Sequence, residues 1–255
     1  MSGVPTELPP PPPLRSRSVG EILSVAFDLY GRSWRTLIPL VAVVVVPLSI
    51  LQYAVDEALG SDAAWQGATG GFLIVIVSLF ATLVVAGAVA WAAAGVLVGR
   101  ETDLAEAYRF GTARMWSLLL VGVLVGLAVA GGFILLVIPG FIFLTRFSVS
   151  VVALVVEGKR GRDALSRSWN LVRGHSWPVF GTLIVAGFLT GIVSGMLSAP
   201  FPHSWFARGL MAGIGSAITT PFTSLVISLI YFDLRVRKES LNVAGLKQEL
   251  RAAAP

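Results

Sequence analysis

The sequence predicts an all-α, polytopic membrane protein: six transmembrane helices in three hairpins, each hairpin preceded by a cytoplasmic amphipathic helix lying in the membrane interface. Three observations carry this prediction. Hydrophobic residues make up 55% of the chain and charged residues only 13%, with a mean hydropathy of +0.82, whereas globular chains carry about 25% charged residues. Six apolar runs have the character of bilayer-crossing segments. Finally, one amphipathic pattern occurs three times, each time just ahead of an apolar run.

That pattern is clearest in Glu157 to Trp177, a stretch too polar to cross a bilayer although long apolar segments flank it. As a helix it places Ala164, Leu165, Ser168, Trp169 and Val172 on one stripe, with Arg160, Arg162, Arg167, Asn170 and Arg173 mostly opposite. This is the 3.6-residue period of an amphipathic helix. A basic helix with Trp on its apolar side suits the membrane interface, and it also suits packing on neighbouring helices. Asp163 precedes small or apolar residues at plus one, two, five, six and nine. Glu21 does the same with Ile22, Leu23, Ala26, Phe27 and Tyr30, and Glu106 with Ala107, Tyr108, Gly111, Thr112 and Met115. Trp34, Trp116 and Trp177 then open the apolar runs.

Taken in order, residues 1–17 form a Pro-rich tail with five consecutive prolines at 9–13. Such a tail is extended and prone to polyproline II, and it is either simply solvated or docks a partner protein. Ser18 and Glu21 make an S-x-x-E capping box that starts the first amphipathic helix. The spans are Leu37–Val55, Gly71–Gly99, Trp116–Ile138, Phe141–Val156, Trp177–Ala199 and Leu210–Phe232. Pro139-Gly140 is expected to reverse the chain between the third and fourth, and Pro221 to interrupt the sixth. The membrane domain is thus 18–236, in units 18–99, 102–156 and 160–236, and 237–255 is a polar cytoplasmic tail in which Leu241 to Arg251 form a weak amphipathic helix.

Charge placement supports this topology. With both termini inside, 17 of the 19 basic residues fall on the inner side, leaving Arg208 outside and Arg146 within a span. That is the positive-inside bias of an inner-membrane protein. It accounts for the net charge of +5 without nucleic acid. Four-residue spacings of small side chains at Gly122, Gly126 and Ala130, at Gly187, Gly191 and Gly195, and at Ala86, Ala90 and Ala94 predict close helix contacts.

Little in the sequence points to catalysis. There is no Cys, hence no thiol chemistry and no thiolate metal site. His175 and His203 fall on opposite sides, and no metalloprotease, nucleophile-elbow or phosphate-loop motif is present. No cofactor is expected. The inner carboxylates, Glu157 and Asp233 among them, read as partners of nearby basic residues or as helix-start charges. Arg146 is the one charge inside a span, where an unpaired cation costs several kcal/mol. It contacts an anionic group, or snorkels to the outer headgroups, or pairs internally, with Asp56 or Glu57 for example. The hydroxyls Thr145, Ser148, Ser150, Ser216, Thr219, Thr220, Thr223 and Ser224 either line a cavity or bond back to the helix backbone.

Four segments together resemble a known family: GEILSVAFDLYGRSWRTLIPL, IPGFIFLTRFSVSVVALVVEG, RDALSRSWNLVRGHSWPVFG and TTPFTSLVISLIYFDLRVRKES. They are similar, over about residues 18–245, to the membrane domain named for glycerophosphoryl diester phosphodiesterases, which occurs as a stand-alone protein in actinobacteria. Some relatives carry a soluble phosphodiesterase barrel with the catalytic His and Glu residues; this chain has no room for one, so the resemblance implies no phosphodiesterase activity. It singles out Arg146, Glu157, Arg167, Ser168, Trp169, Asp233, Arg235 and Arg237.

The expected function is non-enzymatic membrane organisation or recruitment at the bacterial inner membrane, with anionic lipids of the cytoplasmic leaflet, and a protein at the Pro-rich tail, as partners. The alternative is a small transporter or lipid-handling permease built on Arg146 and a broken sixth span.

Overall fold

The computed structural model describes residues 17–59, 64–97, 103–159, 161–198 and 204–240, which are helical with no strand among them. In chain order the helices are α1 (Val19–Leu59), α2 (Ala64–Leu97), α3 (Leu104–Ala113), α4 (Met115–Leu135), α5 (Val137–Phe147), α6 (Ser150–Glu157), α7 (Arg162–Val172), α8 (Ser176–Ser198) and α9 (Trp205–Glu239). Five helical segments are long and apolar enough to cross a membrane: Val19–Ala58, Met115–Leu135, Val137–Glu157, Ser176–Leu197 and Trp205–Glu239. A further apolar helical stretch, Phe80–Val96, lies in α2. The residues of the Pro-rich tail before Arg17, Arg100, Arg160, His203 and the stretch 241–255 lie outside the described residues.

The bundle is built on the antiparallel pair α1 and α9. Ser18 and Glu21 do form the capping box, with the Ser18 amide donating to Glu21 Oε2 at 2.8 Å and the Glu21 amide to Ser18 Oγ at 3.4 Å. The expected separation of an interfacial helix from the first span is not seen. α1 runs unbroken for 41 residues, about 60 Å at 1.5 Å per residue. Its partner explains why. α9 runs alongside it for 35 residues, and Phe222 packs on Phe27 and Tyr30 with centroids 4.6 and 6.1 Å apart. The Tyr30 hydroxyl donates to Ile218 O at 2.9 Å. Further along, a Cβ added at Gly213 would sit 2.8 Å from Val46 Cα, and one at Gly209 2.8 Å from Ile50 Cα. Gly213→Val is therefore expected to force the pair apart at a cost of about 1–3 kcal/mol. The check is Tm in detergent, and an unchanged Tm would contradict the close approach.

Three other expectations are corrected here. Pro221 does not interrupt the sixth span: it is buried inside a continuous α9, and the Thr219 and Thr223 hydroxyls donate to the carbonyls of Gly215 and Thr219 at 2.8 and 3.1 Å. The reversal between α4 and α5 falls at Leu136, whose φ of −164° and ψ of 149° end the helix. Pro139 and Gly140 lie in the first turn of α5, where a missing amide hydrogen costs nothing. The break falls instead in the fourth span, between α5 and α6. Thr145 Oγ1 donates to Phe141 O at 2.7 Å, Ser148 Oγ to Thr145 O at 2.8 Å and Ser150 Oγ to Phe147 O at 2.7 Å. These hydroxyls hold carbonyls around the interrupted ladder. The break turns α6 inward, and Val152 to Val156 are buried.

α2 packs between these elements. Ala88 to Ala94 are buried, and the Trp91 ring stacks on Phe110 of α3 with centroids 4.4 Å apart. Of the small-residue faces, Ala90 and Ala94 are packed and Gly122 meets Leu83. Gly126, Gly187, Gly191 and Gly195 have no described neighbour within 4 Å of an added Cβ. α8 turns its Val179, Thr182 and Ala186 side inward instead, which leaves its glycine face outward.

Candidate functional site

The polar residues gather where α1 begins and α9 ends, at what is here called the basic pole. α9 supplies Tyr231, Arg235 and Glu239 at four-residue spacing, hence on one stripe. α6 ends on Glu157, and Gly158, at φ +65°, caps it in the left-handed region. After this turn α7 lays Arg167 between the two carboxylates. Arg167 Nε donates to Glu157 Oε1 and Oε2 at 2.7 and 2.9 Å, and Nη2 to Glu239 Oε2 at 2.8 Å. The Tyr231 hydroxyl donates to Glu157 Oε1 at 2.6 Å and accepts from Arg235 Nη1 at 3.4 Å. Arg235 Nε donates to Glu239 Oε2 at 2.8 Å and lies 3.8 Å from Glu157 Oε1. Burial pulls the Arg167 guanidinium down, but its hydrogen bonds to Glu239 and Glu157 outweigh this and raise its pKa above the ordinary value. Arg167 is thus permanently charged and fully engaged.

A second group clasps the start of α1. The Arg17 amide donates to Asp233 Oδ1 at 2.6 Å, Arg237 Nε donates to Asp233 Oδ2 at 2.7 Å, and Arg237 Nη2 donates to Arg17 O at 2.7 Å. Arg17 is the last residue of the expected Pro-rich tail and Arg237 the first of the expected polar tail; here the two meet in this clasp, with Arg17 buried. Beside the clasp is a cavity of about 20 Å³, room for one water-sized molecule, bordered by Arg17, His175, Thr182, Asp233 and Arg237.

Arg146 closes the site from α5. Its carbonyl accepts from Ser168 Oγ at 2.7 Å, and its guanidinium lies over the Trp169 ring, 4.7 Å from the centroid. Phe143 and Phe147 also pack on that ring, at 6.2 and 5.6 Å. Arg146 has no carboxylate partner among the described residues, and its buried Nε has no hydrogen-bond acceptor. Pairing with Asp56 or Glu57, one of the alternatives the sequence leaves open, does not form. Glu57 is at the opposite end of the bundle, 3.6 Å from Arg208. Nor is Arg146 at that opposite end to snorkel there: it sits by α7 and Lys238, because α5 is short and ends at the basic pole. Lys238 Nζ donates to Asn170 O and Arg173 O at 2.6 and 2.7 Å, capping α7, and is near enough to Arg146 and Arg173 to feel their charge.

Residues 121–234 match a domain of unknown function, DUF7847. The match covers less than half of the chain, from within α4 into α9, and includes Arg146, Glu157, Arg167, Trp169 and Asp233. No curated protein matches the chain, and no solved structure does.

Of the residues the sequence singled out, Glu157, Arg167 and Arg235 meet in one network, Asp233 lies in the adjoining clasp, and Arg146 meets Trp169. Arg162, which starts α7, and Arg173, which follows its last residue, are exposed. Arg160 is outside the described residues. Sequence reasoning missed Glu239, Tyr231 and Lys238. The four-residue spacing of Tyr231, Arg235 and Glu239 was the available signal. A sixth span that ends at Phe232 separates Tyr231 from the other two and hides that stripe.

Proposed function

We propose that this chain is a six-span bacterial inner-membrane protein with both termini cytoplasmic, akin to the stand-alone membrane domain it resembles, and that it organises membrane components without catalysing a reaction. The basic pole would face the cytoplasm and engage anionic headgroups of that leaflet. The sixth crossing segment in this reading is α2, and the units are those of the sequence, with the first amphipathic segment fused to its span.

The observation that carries the proposal is the company kept by the exposed cations. Glu157, Asp233 and Glu239 are consumed by internal hydrogen bonds, while Arg109, Arg162 and Arg173 remain exposed. Trp34, Trp116 and Trp177, which open the apolar runs of the three units, are exposed by 46%, 72% and 82%, as an aromatic belt at headgroup level requires. Exposed arginines beside such a belt attract anionic lipid. The transporter reading loses the broken sixth span on which it drew.

The test is lipid composition. Protein released from native membrane should carry anionic over zwitterionic phospholipid, and Arg109→Gln with Arg162→Gln should reduce that enrichment several-fold without lowering Tm. Arg167 is unsuitable for this purpose because its loss would damage the fold. An unchanged lipid profile in the double variant would refute the proposal.

A further inference from the structure

Among the described residues, no carboxylate neutralises the Arg146 guanidinium. The carboxylates of the basic pole nearest to it are spent: Glu157 on Arg167, Tyr231 and Lys159, and Glu239 on Arg167 and Arg235. Lys238 is held only by two carbonyls, and Arg173 has no ion pair among the described residues. Lys238 thus lies within electrostatic reach of both Arg146 and Arg173, the carboxylate acting on it being Glu239, which is already bonded to Arg167 and Arg235, and Arg146 has a buried donor, Nε, with no acceptor. Charge of this kind, at the edge of a membrane segment, calls for an anion that the described residues do not supply.

The surface leading to Arg146 says what carries that anion. Ile138, Ile142 and Arg146 follow one another at four-residue spacing along one face of α5. The two isoleucines are 73% and 45% exposed. Trp169 flanks the guanidinium. An apolar stripe ending at an unneutralised cation fits a molecule with a hydrocarbon tail and a phosphate head. A soluble anion would make no use of the stripe.

We propose that Arg146, Arg173 and Lys238 bind the phosphate of one phospholipid whose acyl chain lies along Ile138 and Ile142, and that the site prefers a phosphomonoester headgroup over a phosphodiester. The preference follows from charge. A monoester approaches two negative charges and offers three terminal oxygens, whereas a diester carries one charge and two such oxygens. Against these three cations the Coulomb term roughly doubles, and charge-assisted hydrogen bonds to guanidinium add geometry to it. This inference rests on the lipid-contact reading above and sharpens it to one headgroup class.

Full-length protein in nanodiscs of equal parts phosphatidic acid, phosphatidylglycerol and phosphatidylcholine, released into native mass spectrometry, tests it. The expected result is one retained phosphatidic acid per chain, about tenfold over phosphatidylglycerol. Arg146→Gln should reduce phosphatidic acid to the phosphatidylglycerol level. Arg173→Gln, at an exposed position whose side chain makes no ion pair among the described residues, should weaken the same adduct with Tm unchanged, so that misfolding does not mimic the result. Equal retention of the two anionic lipids, both above phosphatidylcholine, would overturn the monoester site while leaving the basic-pole reading intact. Retention of neither would overturn both. Displacement of the adduct by excess inorganic phosphate would show that the site takes the free anion and would overturn the lipid assignment.

Discussion

Glu157→Ala is expected to be the most destabilising single substitution at the basic pole. The carboxylate takes the Tyr231 hydroxyl at 2.6 Å, Arg167 Nε at 2.7 and 2.9 Å, and lies 3.7 Å from Lys159 and 3.8 Å from Arg235. Its side chain is 10% exposed and that of Arg235 only 7%. Removing one partner of a buried ion pair leaves the other charge without solvent or counter-ion and costs about 3–5 kcal/mol. Glu239 can compensate in part because it also touches both arginines, which places the expected loss toward the lower end of that range. Glu157→Gln keeps an acceptor for Tyr231 but turns an amide donor toward Arg167, and should fall between wild type and Ala. Replacing Glu157 and Arg167 together by Met removes charge and counter-charge at once and is expected to recover much of the loss. Unfolding in detergent measures all three variants. If Glu157→Ala matched wild type, the network would be an arrangement without energetic weight.

The helical class and the amphipathic face of α7 were legible because they depend on periodicity alone. Ala164, Ser168 and Val172 are buried, on the stripe that the 3.6-residue pattern assigned to the inside. What was not legible depends on contacts between distant residues. Nothing in Phe147-Ser148-Val149-Ser150 is a helix breaker by composition. At the break α6 turns to pack against α2 and α9 with Val152 to Val156 buried, and three hydroxyls hold carbonyls beside it. Conversely Pro221 looks like a breaker, yet the packed length of α1 keeps α9 whole across it. The ends of the domain failed for a related reason. Arg17, Lys238 and Glu239 look like tail residues until Asp233, Asn170 and Arg167, respectively, are brought to them across 216, 68 and 72 positions. For the site, the sequence placed Arg146 in a span but could not say that α5 would end so early, and that alone moves it to the basic pole.

Asp233→Ala should give the second large effect, and a more local one. Asp233 is 6% exposed, and its two oxygens take the Arg17 amide at 2.6 Å and Arg237 Nε at 2.7 Å. Its negative charge also lies next to the first turn of α1, where the helix dipole favours it. Loss of the carboxylate strands a buried amide and half of a clasp, for about 2–4 kcal/mol. Arg237→Gln removes only the outer arm. Its side chain is 34% exposed, so that change should cost no more than about 1 kcal/mol. The difference between the two variants separates the amide contact from the ion pair. Asp233→Asn separates charge from hydrogen bonding, since an amide oxygen can still accept from Arg17 while the dipole interaction is lost. Hydrogen exchange gives the decisive readout. The clasp joins the start of α1 to α9, so exchange at Ile22 to Leu29 should accelerate by one to two orders of magnitude in Asp233→Ala, with Leu225 to Leu229 at the centre of α9 slowest to change. Uniform acceleration across both helices would mean that Asp233 supports the whole bundle, and no acceleration at the start of α1 would mean that packing against Phe222 holds that helix without the clasp.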